Sequence, residues 1–199
     1  MSIMKYGGYK SEIVVPSENT YKIPSKMPLD IAAGFPVIYG TAYSALKSCA
    51  KLKKGETCLV LGATGGVGIA TVEIAKALGA KVIACGGSDK KLQSCTSKGA
   101  DHVINYKEKI LRNELAKLNI KEIDVVIDMI GGQYALDSVK SLKWNGRFVV
   151  VGFASGIIPN IPANRLLLKN ASAIGLYWGE LAYKEPYSIK QDFLKLEEL

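Results

Sequence analysis

From residue 57 onward, short apolar runs alternate along the chain with segments in which apolar residues recur at helical spacing. Most of the runs are rich in valine and isoleucine and continuously apolar, which is typical of strands whose two faces are both covered by helices. This repeated alternation predicts an α/β fold with a doubly wound parallel sheet and right-handed crossovers. The predicted strands, about six in number, are TCLVLG (57–62), KVIACG (81–86), HVINY (102–106), IDVVIDMI (123–130), GRFVVVGF (146–153) and ASAIGLYW (171–178).

Four segments between these runs are predicted to be helices on the two faces of the sheet. The first, VGIATVEIAKALG, places its apolar residues largely on one side and stops at Gly79. The second has Ser88 as a candidate N-cap and ends at Gly99. The other two are EKILRNELAKLN (108–119) and QYALDSVKSLKW (133–144).

The part of the chain before residue 57 has a different pattern. The stretch from Tyr6 to Pro24 predicts one or two β-strands, broken by Pro16 and Pro24. The following stretch, residues 29–52, has helical tendency and is expected to break at Gly34-Phe35-Pro36. This front piece is too short to be a domain on its own.

A glycine-rich turn, Gly62-Ala63-Thr64-Gly65-Gly66-Val67-Gly68, joins the first predicted strand to the first predicted helix. Glycines in such a turn bend the chain tightly, let the backbone approach a pyrophosphate, and allow the helix to pack on the strand. The N–H groups at the helix start then face the anion, assisted by the helix dipole. Ala63 replaces the first glycine of the strict pattern, but the flanking strands and helix favour a Rossmann-type dinucleotide site. The alternative interpretation is a purely structural turn without a ligand.

The end of the second predicted strand indicates which dinucleotide is preferred. An NAD site usually has an acidic residue there to hold the ribose 2′-hydroxyl. The sequence reads Cys85-Gly86-Gly87-Ser88 instead, and Asp89 follows at the start of a helix, where capping is its expected role. Ser88 and Lys91 offer a hydroxyl and a positive charge to a 2′-phosphate. We therefore predict NADP(H) over NAD(H), with Lys91 as an ordinary exposed lysine being the alternative.

Composition and charge remove several other functional classes. The four cysteines form no CxxC pair and His102 is the only histidine, so a zinc site has too few ligands and reduced thiols are expected. The net charge of +8 is spread along the chain without basic stripes and interleaved aromatics, so nucleic-acid binding is not indicated. Neither a membrane-spanning apolar run nor a signal-peptide pattern is present. We expect a soluble cytoplasmic protein, with the mitochondrion as the alternative location.

Four stretches resemble the quinone oxidoreductase (zeta-crystallin-like) family of the medium-chain dehydrogenase/reductase superfamily. Ala63 in the turn is normal for that branch. The matching stretches cover nearly the whole chain and are AGFPVIYGTAYSALK, KKGETCLVLGATGGVGIATVEIAKALGAKVIA, KGADHVINY and GRFVVVGFASGIIPNIPANRLLLKNASAIGLYWG.

The resemblance implies a set of cofactor-binding residues, while no catalytic residue is assigned. Alternatives remain open for three of them: Thr41 as a helix residue bonded to its own backbone, Tyr106 as a packing residue, and Phe153 as core. The implied set is Thr41 near the nicotinamide; Thr64, Gly65, Gly66, Val67 and Gly68 around the pyrophosphate; Gly86, Ser88 and Lys91 at the 2′-phosphate, with Tyr106 closing that end; and Gly152, Phe153 and Ala154 as the wall against the nicotinamide.

The activity implied by the resemblance is hydride transfer from NADPH to a quinone or another electron-poor alkene, without zinc. The alternatives are a non-catalytic NADP(H)-binding module or inactive fragment, and an enoyl-thioester reductase of the same superfamily. Family members begin with a separate GroES-like domain, so we expect residues 1–28 to be its remnant, residues 29–199 to be the NAD(P)-binding Rossmann domain, and the family's C-terminal tail to be missing. Pairing of relatives through edge strands implies a homo-oligomer formed by residues 171–178.

Overall fold

The computed structural model describes residues 1–199 and is built around one six-stranded sheet in which every neighbouring pair is parallel. The strand order is β3-β2-β1-β4-β5-β6, so the direction of winding reverses between β1 and β4. This confirms the predicted doubly wound sheet of about six strands. The strands are β1 (Thr57–Leu61), β2 (Lys81–Gly86), β3 (His102–Asn105), β4 (Ile123–Asp128), β5 (Leu142–Val150) and β6 (Ser172–Gly175).

Helices cover both faces of this sheet, which explains the continuously apolar strands. Alternate residues of β1 enter different layers: Val60 packs among residues of the first two helices, and Leu59 among residues of the fourth and fifth. None of the helices combines the length and the apolar character that crossing a membrane requires. The helices are α1 (Leu29–Tyr43), α2 (Gly66–Ala77), α3 (Asp89–Ser97), α4 (Leu111–Lys117), α5 (Gly132–Lys140), α6 (Ala163–Leu167), α7 (Trp178–Lys184) and α8 (Pro186–Glu197).

The ends of several predicted elements differ from the structure, most clearly around β5 and β6. The helix predicted over residues 133–144 ends at Lys140, and β5 begins at Leu142 because that fully buried side chain pairs with the start of β4. Asn145, with a φ of 60°, then lies where the β4–β5 register shifts. The strand predicted over residues 171–178 is limited to β6, since Trp178 begins α7.

The strands predicted between Tyr6 and Pro24 are wrong. This stretch contains a short 3-10 turn, Ser17–Asn19, and its one β-interaction is an isolated bridge between Ser2 and Thr20. Val14 is fully exposed, so the apolar residues here find no neighbouring strand with which to form a ladder. Tyr21 is the residue that anchors the segment, by an edge-on contact with Phe193 of α8. The division of the chain at residue 28 stays a prediction.

The predicted helix break at Gly34-Phe35-Pro36 is also wrong. Helix α1 continues through the buried Pro36 to Tyr43 and passes directly into a π-helical turn, Ser44–Cys49. The lost backbone hydrogen bond of Pro36 is outweighed by packing, because α1 lies along α2 and also contacts the two last helices. At Gly40 the approach is so close that an added Cβ would lie 2.3 Å from the ring of Trp178.

A half-buried arginine connects several elements at the amino-terminal edge of the sheet. Arg147 of β5 donates from Nη2 to the Glu56 carboxylate at 2.5 Å and from Nε to the carbonyl of Ala50 at 2.9 Å. It also reaches the carbonyl of Asp124, and the Asp124 carboxylate accepts from the backbone N–H of Thr57 at 2.8 Å. These bonds connect the segment before β1 to β4 and β5.

We expect Arg147→Met to lower the free energy of unfolding by about 3 kcal/mol, because it leaves the half-covered Glu56 carboxylate and two backbone carbonyls without their donor. The matched control is Lys76→Met, which removes an exposed ion pair with Asp101 and should change stability by less than about 1 kcal/mol. Urea unfolding at neutral pH measures the free energy of unfolding of both variants. Equal losses for the two would contradict the stabilising role of Arg147.

Candidate cofactor site

The glycine-rich turn follows β1, the strand beside which the winding of the sheet reverses, and it is hydrogen-bonded to the end of β2. The N–H groups of Gly62 and Ala63 both donate to the carbonyl of Cys85 at 3.0 Å, which fixes the turn to the end of β2. Gly62 has a φ of 80°, a conformation that favours glycine. The turn is therefore positioned by two adjacent strands.

Helix α2 starts in direct contact with this turn at Gly68. A Cβ on Gly68 would lie 2.2 Å from the Gly62 carbonyl oxygen and 2.6 Å from the Cα of Ala63, both backbone atoms. At Gly66, by contrast, an added Cβ would meet the tip of the Ile38 side chain at 3.2 Å. Only glycine fits at position 68 without moving the backbone.

Several backbone N–H groups of the turn have no acceptor within the protein. The first hydrogen bond of the helix runs from Ile69 to Gly65 at 2.8 Å, and Gly65 itself donates to Gly62. The donors left unpaired are those of Thr64, Gly66, Val67 and Gly68. They lie at the positive end of α2, so the arrangement suits an anionic group such as a pyrophosphate.

A crevice lies at the carboxyl ends of β1 and β4, where the winding of the sheet reverses. Asp128, the last residue of β4, holds the side of this crevice opposite the turn. Its Oδ1 accepts hydrogen bonds from the backbone N–H groups of Ile130 and Gly131, at 2.8 and 3.0 Å. Its carbonyl accepts from Val151 at 2.8 Å and, at 3.3 Å, from Gly152. Burial raises the pKa of the Asp128 carboxyl, against the lowering effect of the two backbone donors, and its Oδ2 is buried without a partner. Asp128 thus holds the loop after β4 through its carboxylate and the loop after β5 through its backbone carbonyl.

Of the predicted nicotinamide residues, Thr41 lines a cavity, and Gly152, Phe153 and Ala154 directly follow Val151, which also lines it. Thr41 lines this cavity of about 680 Å³ together with Val67 and Val151. Its hydroxyl does not bond back to the helix, unlike that of Thr71, which donates to the Val67 carbonyl. Phe153 is 41% exposed, so the alternative that it is a core residue is wrong. The other boundary of the cavity consists of residues from the N-terminal segment and α7: Ile3, Met4, Lys5, Tyr6, Trp178, Gly179, Glu180 and Tyr183.

The predicted 2′-phosphate residues come together at the ends of β2 and β3. Ser88 stands at the N-cap position of α3, but its side chain makes no capping hydrogen bond, and Asp89 lies in the first helical turn. Lys91 is exposed on that helix. The backbone of Tyr106 donates to the carbonyl of Gly86 at 3.1 Å. Together these bonds and positions place the four predicted residues at one corner of the sheet.

Two residues at this corner were missed in the sequence. Tyr134 of α5 packs against Tyr106, with ring centroids 4.2 Å apart, and the two rings line a small cavity. Burial raises the pKa of the Tyr106 hydroxyl, which therefore stays protonated at neutral pH. Lys107 lies across Gly87 and is considered below. The one available sequence signal was that Lys107 directly follows the predicted strand 102–106.

The structure does not bring a metal-ligand set together. No group of three or more histidine, cysteine or acidic side chains is close enough to hold an ion. Cys58, Cys85 and Cys95 are buried, all four cysteines are free, and burial raises the pKa of Cys58 to about 12. His102 lies on the edge strand β3 and is exposed. The residues of this chain therefore do not fit a zinc site.

A doubly wound parallel sheet with a glycine-rich turn at its reversal point defines the Rossmann class of α/β proteins. The family model described as "Zinc-binding dehydrogenase" matches residues 66–196. The chain belongs to this family and, within the medium-chain dehydrogenase/reductase superfamily, to the quinone oxidoreductases. The family's printed description includes zinc, whereas this chain offers no ligand set for it.

Three known proteins illustrate the similarity. "Quinone oxidoreductase-like protein 2" of Bos taurus is 46% identical over 176 residues, which cover 87% of this chain and 50% of the relative. The quinone oxidoreductase of Thermus thermophilus, solved also in complex with NADPH, has a TM-score of 0.82 at 28% identity, covering 94% of this chain and 62% of that one. The CurK enoyl reductase has a TM-score of 0.77 at 28% identity, covering 92% and 55%. The chain spans about half the length of the curated relative.

We expect Gly68→Ala to destabilise the fold by about 3 kcal/mol or more, because the new methyl group meets backbone atoms of the turn that cannot move independently. Gly66→Ala is the matched control within the same turn. Its methyl group meets only a flexible side-chain tip, so stability should remain within about 1 kcal/mol of the original protein. Denaturant midpoints measure the stabilities of the two variants. A Gly68→Ala protein as stable as the Gly66→Ala protein would contradict the backbone contact at position 68.

Proposed function

We propose that this chain is the cofactor-binding part of an NADPH-dependent oxidoreductase that reduces a quinone or another electron-poor alkene without zinc. The observation that carries the proposal is the set of unpaired N–H groups of Thr64, Gly66, Val67 and Gly68 beside the reversal point of the sheet. Every helix leaves its first N–H groups unpaired, but here they adjoin a glycine-rich turn that lets an anion approach the backbone. Similarity to a quinone oxidoreductase solved with NADPH supports the choice of cofactor.

The backbone at the start of α2 would hold the pyrophosphate. The unpaired N–H groups of Gly66, Val67 and Gly68 would donate to its oxygens, and the positive end of the twelve-residue helix would add a favourable field. Since this cradle consists of main chain, its geometry depends on the helix contact at Gly68 rather than on any side-chain conformation.

The corner at the ends of β2 and β3 would select NADPH over NADH. No carboxylate stands at the end of β2 to hold a ribose 2′-hydroxyl or to repel a phosphate. Ser88 has an uncommitted hydroxyl, and Lys91 brings a positive charge to the same helix turn. Tyr106 would cover this end, supported by the ring of Tyr134.

The opposite end of the crevice would receive the nicotinamide, which supplies a hydride when bound. Thr41 and the loop containing Gly152, Phe153 and Ala154 would orient the ring beside the 680 Å³ cavity. Most of the residues that line that cavity are hydrophobic, which suits a planar, uncharged acceptor. We assign no proton donor among the side chains and propose that solvent supplies the proton.

A second candidate function is the reduction of an enoyl thioester, favoured by the similarity to the CurK enoyl reductase. The two reactions use the same cofactor and the same hydride transfer. They differ in the acceptor, so the acceptor has to be tested directly.

We expect the purified chain to bind NADPH at least tenfold more tightly than NADH in separate calorimetric titrations, because only NADPH carries the phosphate that the Ser88 and Lys91 corner attracts. A quinone and an enoyl thioester are then added, and NADPH absorbance is followed. Oxidation with one acceptor identifies the reaction, whereas binding without oxidation marks a non-catalytic cofactor module. Absence of binding to either nucleotide would refute the cofactor site itself.

We also propose that two copies associate through β6. This strand is the edge of the sheet, with one side hydrogen-bonded to β5 and the other side open. Tyr177, two residues beyond it, is 75% exposed. An open strand edge with apolar neighbours favours pairing with a second edge.

Sedimentation should therefore show a dimer that dissociates in Ala173→Lys, since a lysine on an edge strand opposes pairing. Ala33→Lys, at an exposed position of α1, is the control and should leave the dimer intact. A monomeric original protein would contradict the proposal.

For the compartment we propose the cytoplasm. All four cysteines are free and three are buried, which suits a reducing environment.

A further inference from the structure

The backbone position of Lys107 is fixed by the pairing of β2 with β3. Asn105, the last residue of β3, stands in register with Gly86, and its side chain accepts a hydrogen bond from the Lys107 N–H at 3.1 Å. Asn105 is buried, and the next residue, Tyr106, is bonded to the Gly86 carbonyl. Lys107 therefore leaves the sheet beside the segment that connects β2 to α3.

The side chain of Lys107 lies directly on Gly87. A Cβ built on Gly87 would be 2.9 Å from Cε, 3.1 Å from Cδ and 3.4 Å from Cγ of Lys107. Three consecutive carbons of the lysine therefore follow the surface of the glycine, and the ammonium group is one bond farther on. This places the ammonium group near Gly87, the residue that precedes the N-cap position of α3.

The charges around Lys107 leave its ammonium group available for a ligand. Lys107 takes part in none of the ion pairs of the structure. Of the nearby charged residues, Lys109 pairs with Glu114 at 3.9 Å, and Asp137 pairs with Lys140 at 3.0 Å. Glu108 lines the adjoining cavity and is the one acidic side chain next to Lys107 in the chain. An exposed lysine ammonium group beside the N-terminus of α3 attracts a dianionic phosphate.

We infer that Lys107 is a specificity-determining residue that binds the 2′-phosphate of NADPH from the β3 side, facing Lys91 on α3, and that Gly87 is small so that the lysine can cross it. This inference rests on the proposed function and adds a residue to its cofactor site. NADH lacks the phosphate, so Lys107 contributes to NADPH affinity and not to NADH affinity.

The test is Lys107→Gln, with NADPH, NADH and 2′,5′-ADP titrated separately by calorimetry at low salt. We expect affinity for NADPH and 2′,5′-ADP to fall about tenfold while NADH affinity is unchanged, and Lys107→Arg to retain most of the NADPH affinity. Lys109→Gln, two residues farther along the same loop, is the matched control and should leave all three affinities unchanged. Raising the salt concentration should reduce the difference between the original protein and Lys107→Gln.

Gly87→Ala tests the contact without changing any charge. The added methyl group would displace the flexible lysine side chain and not the backbone. We expect a smaller loss of NADPH affinity than in Lys107→Gln, again with NADH affinity unchanged.

The possible failures of the inference and of the proposed function are distinct. Equal losses for NADPH and NADH in Lys107→Gln would mean that the residue only supports the loop, and the inference would be overturned. Unchanged NADPH affinity, in a protein that still prefers NADPH, would overturn the inference and leave the proposed function standing. If the original protein binds neither nucleotide, both fail together.

Discussion

The close approach of α2 to the end of β1 is the contact on which the rest of the crevice depends. At Gly68 the helix backbone touches the backbone of Gly62 and Ala63 with no side chain between them. A separation larger by one methyl group would move the helix start away from the reversal point of the sheet. The two N–H groups that bind Cys85 would still anchor the turn, but the unpaired donors would no longer face the space between β1 and β4. The contact is therefore both a packing feature and the determinant of the proposed anion site.

The two edges of the sheet differ in how completely their polar groups are satisfied. At the amino-terminal edge, the Arg147 guanidinium serves the Glu56 carboxylate and the carbonyls of Ala50 and Asp124. At the carboxyl edge, the turn keeps unpaired N–H groups, and Asp128 keeps one buried oxygen without a donor. The Asp128 oxygen is buried, so leaving it unpaired is unfavourable, whereas Gly66 is exposed and its N–H group can be completed by water or by a ligand. Both features are compatible with a ligand site at the carboxyl edge.

The central part of the fold was predictable because β1, β2 and β4 are buried on both faces, and burial on both faces leaves a continuously apolar run in the sequence. The wrong predictions concern segments whose conformation depends on contacts with residues far away in the sequence. Pro36 is tolerated within α1 because the helix packs along α2 and receives Trp178 at Gly40, a contact between positions far apart in the chain. Between Tyr6 and Pro24 the local pattern predicted strands. A strand also needs a neighbouring strand to supply hydrogen bonds, and the local sequence does not show whether such a neighbour exists.

The same distinction applies to the candidate site. The pyrophosphate cradle is made of consecutive residues, so its glycines and the flanking strand and helix were visible as a motif. The proposed 2′-phosphate corner is assembled from the ends of two strands, and of the residues that follow β3 the sequence analysis named only Tyr106, by resemblance. Lys107 comes into reach of Gly87 because β3 pairs in register with β2 and Asn105 turns the chain back toward Gly86. In the proposed site, nucleotide preference would therefore depend on the β2–β3 pairing as well as on the residue at the end of β2.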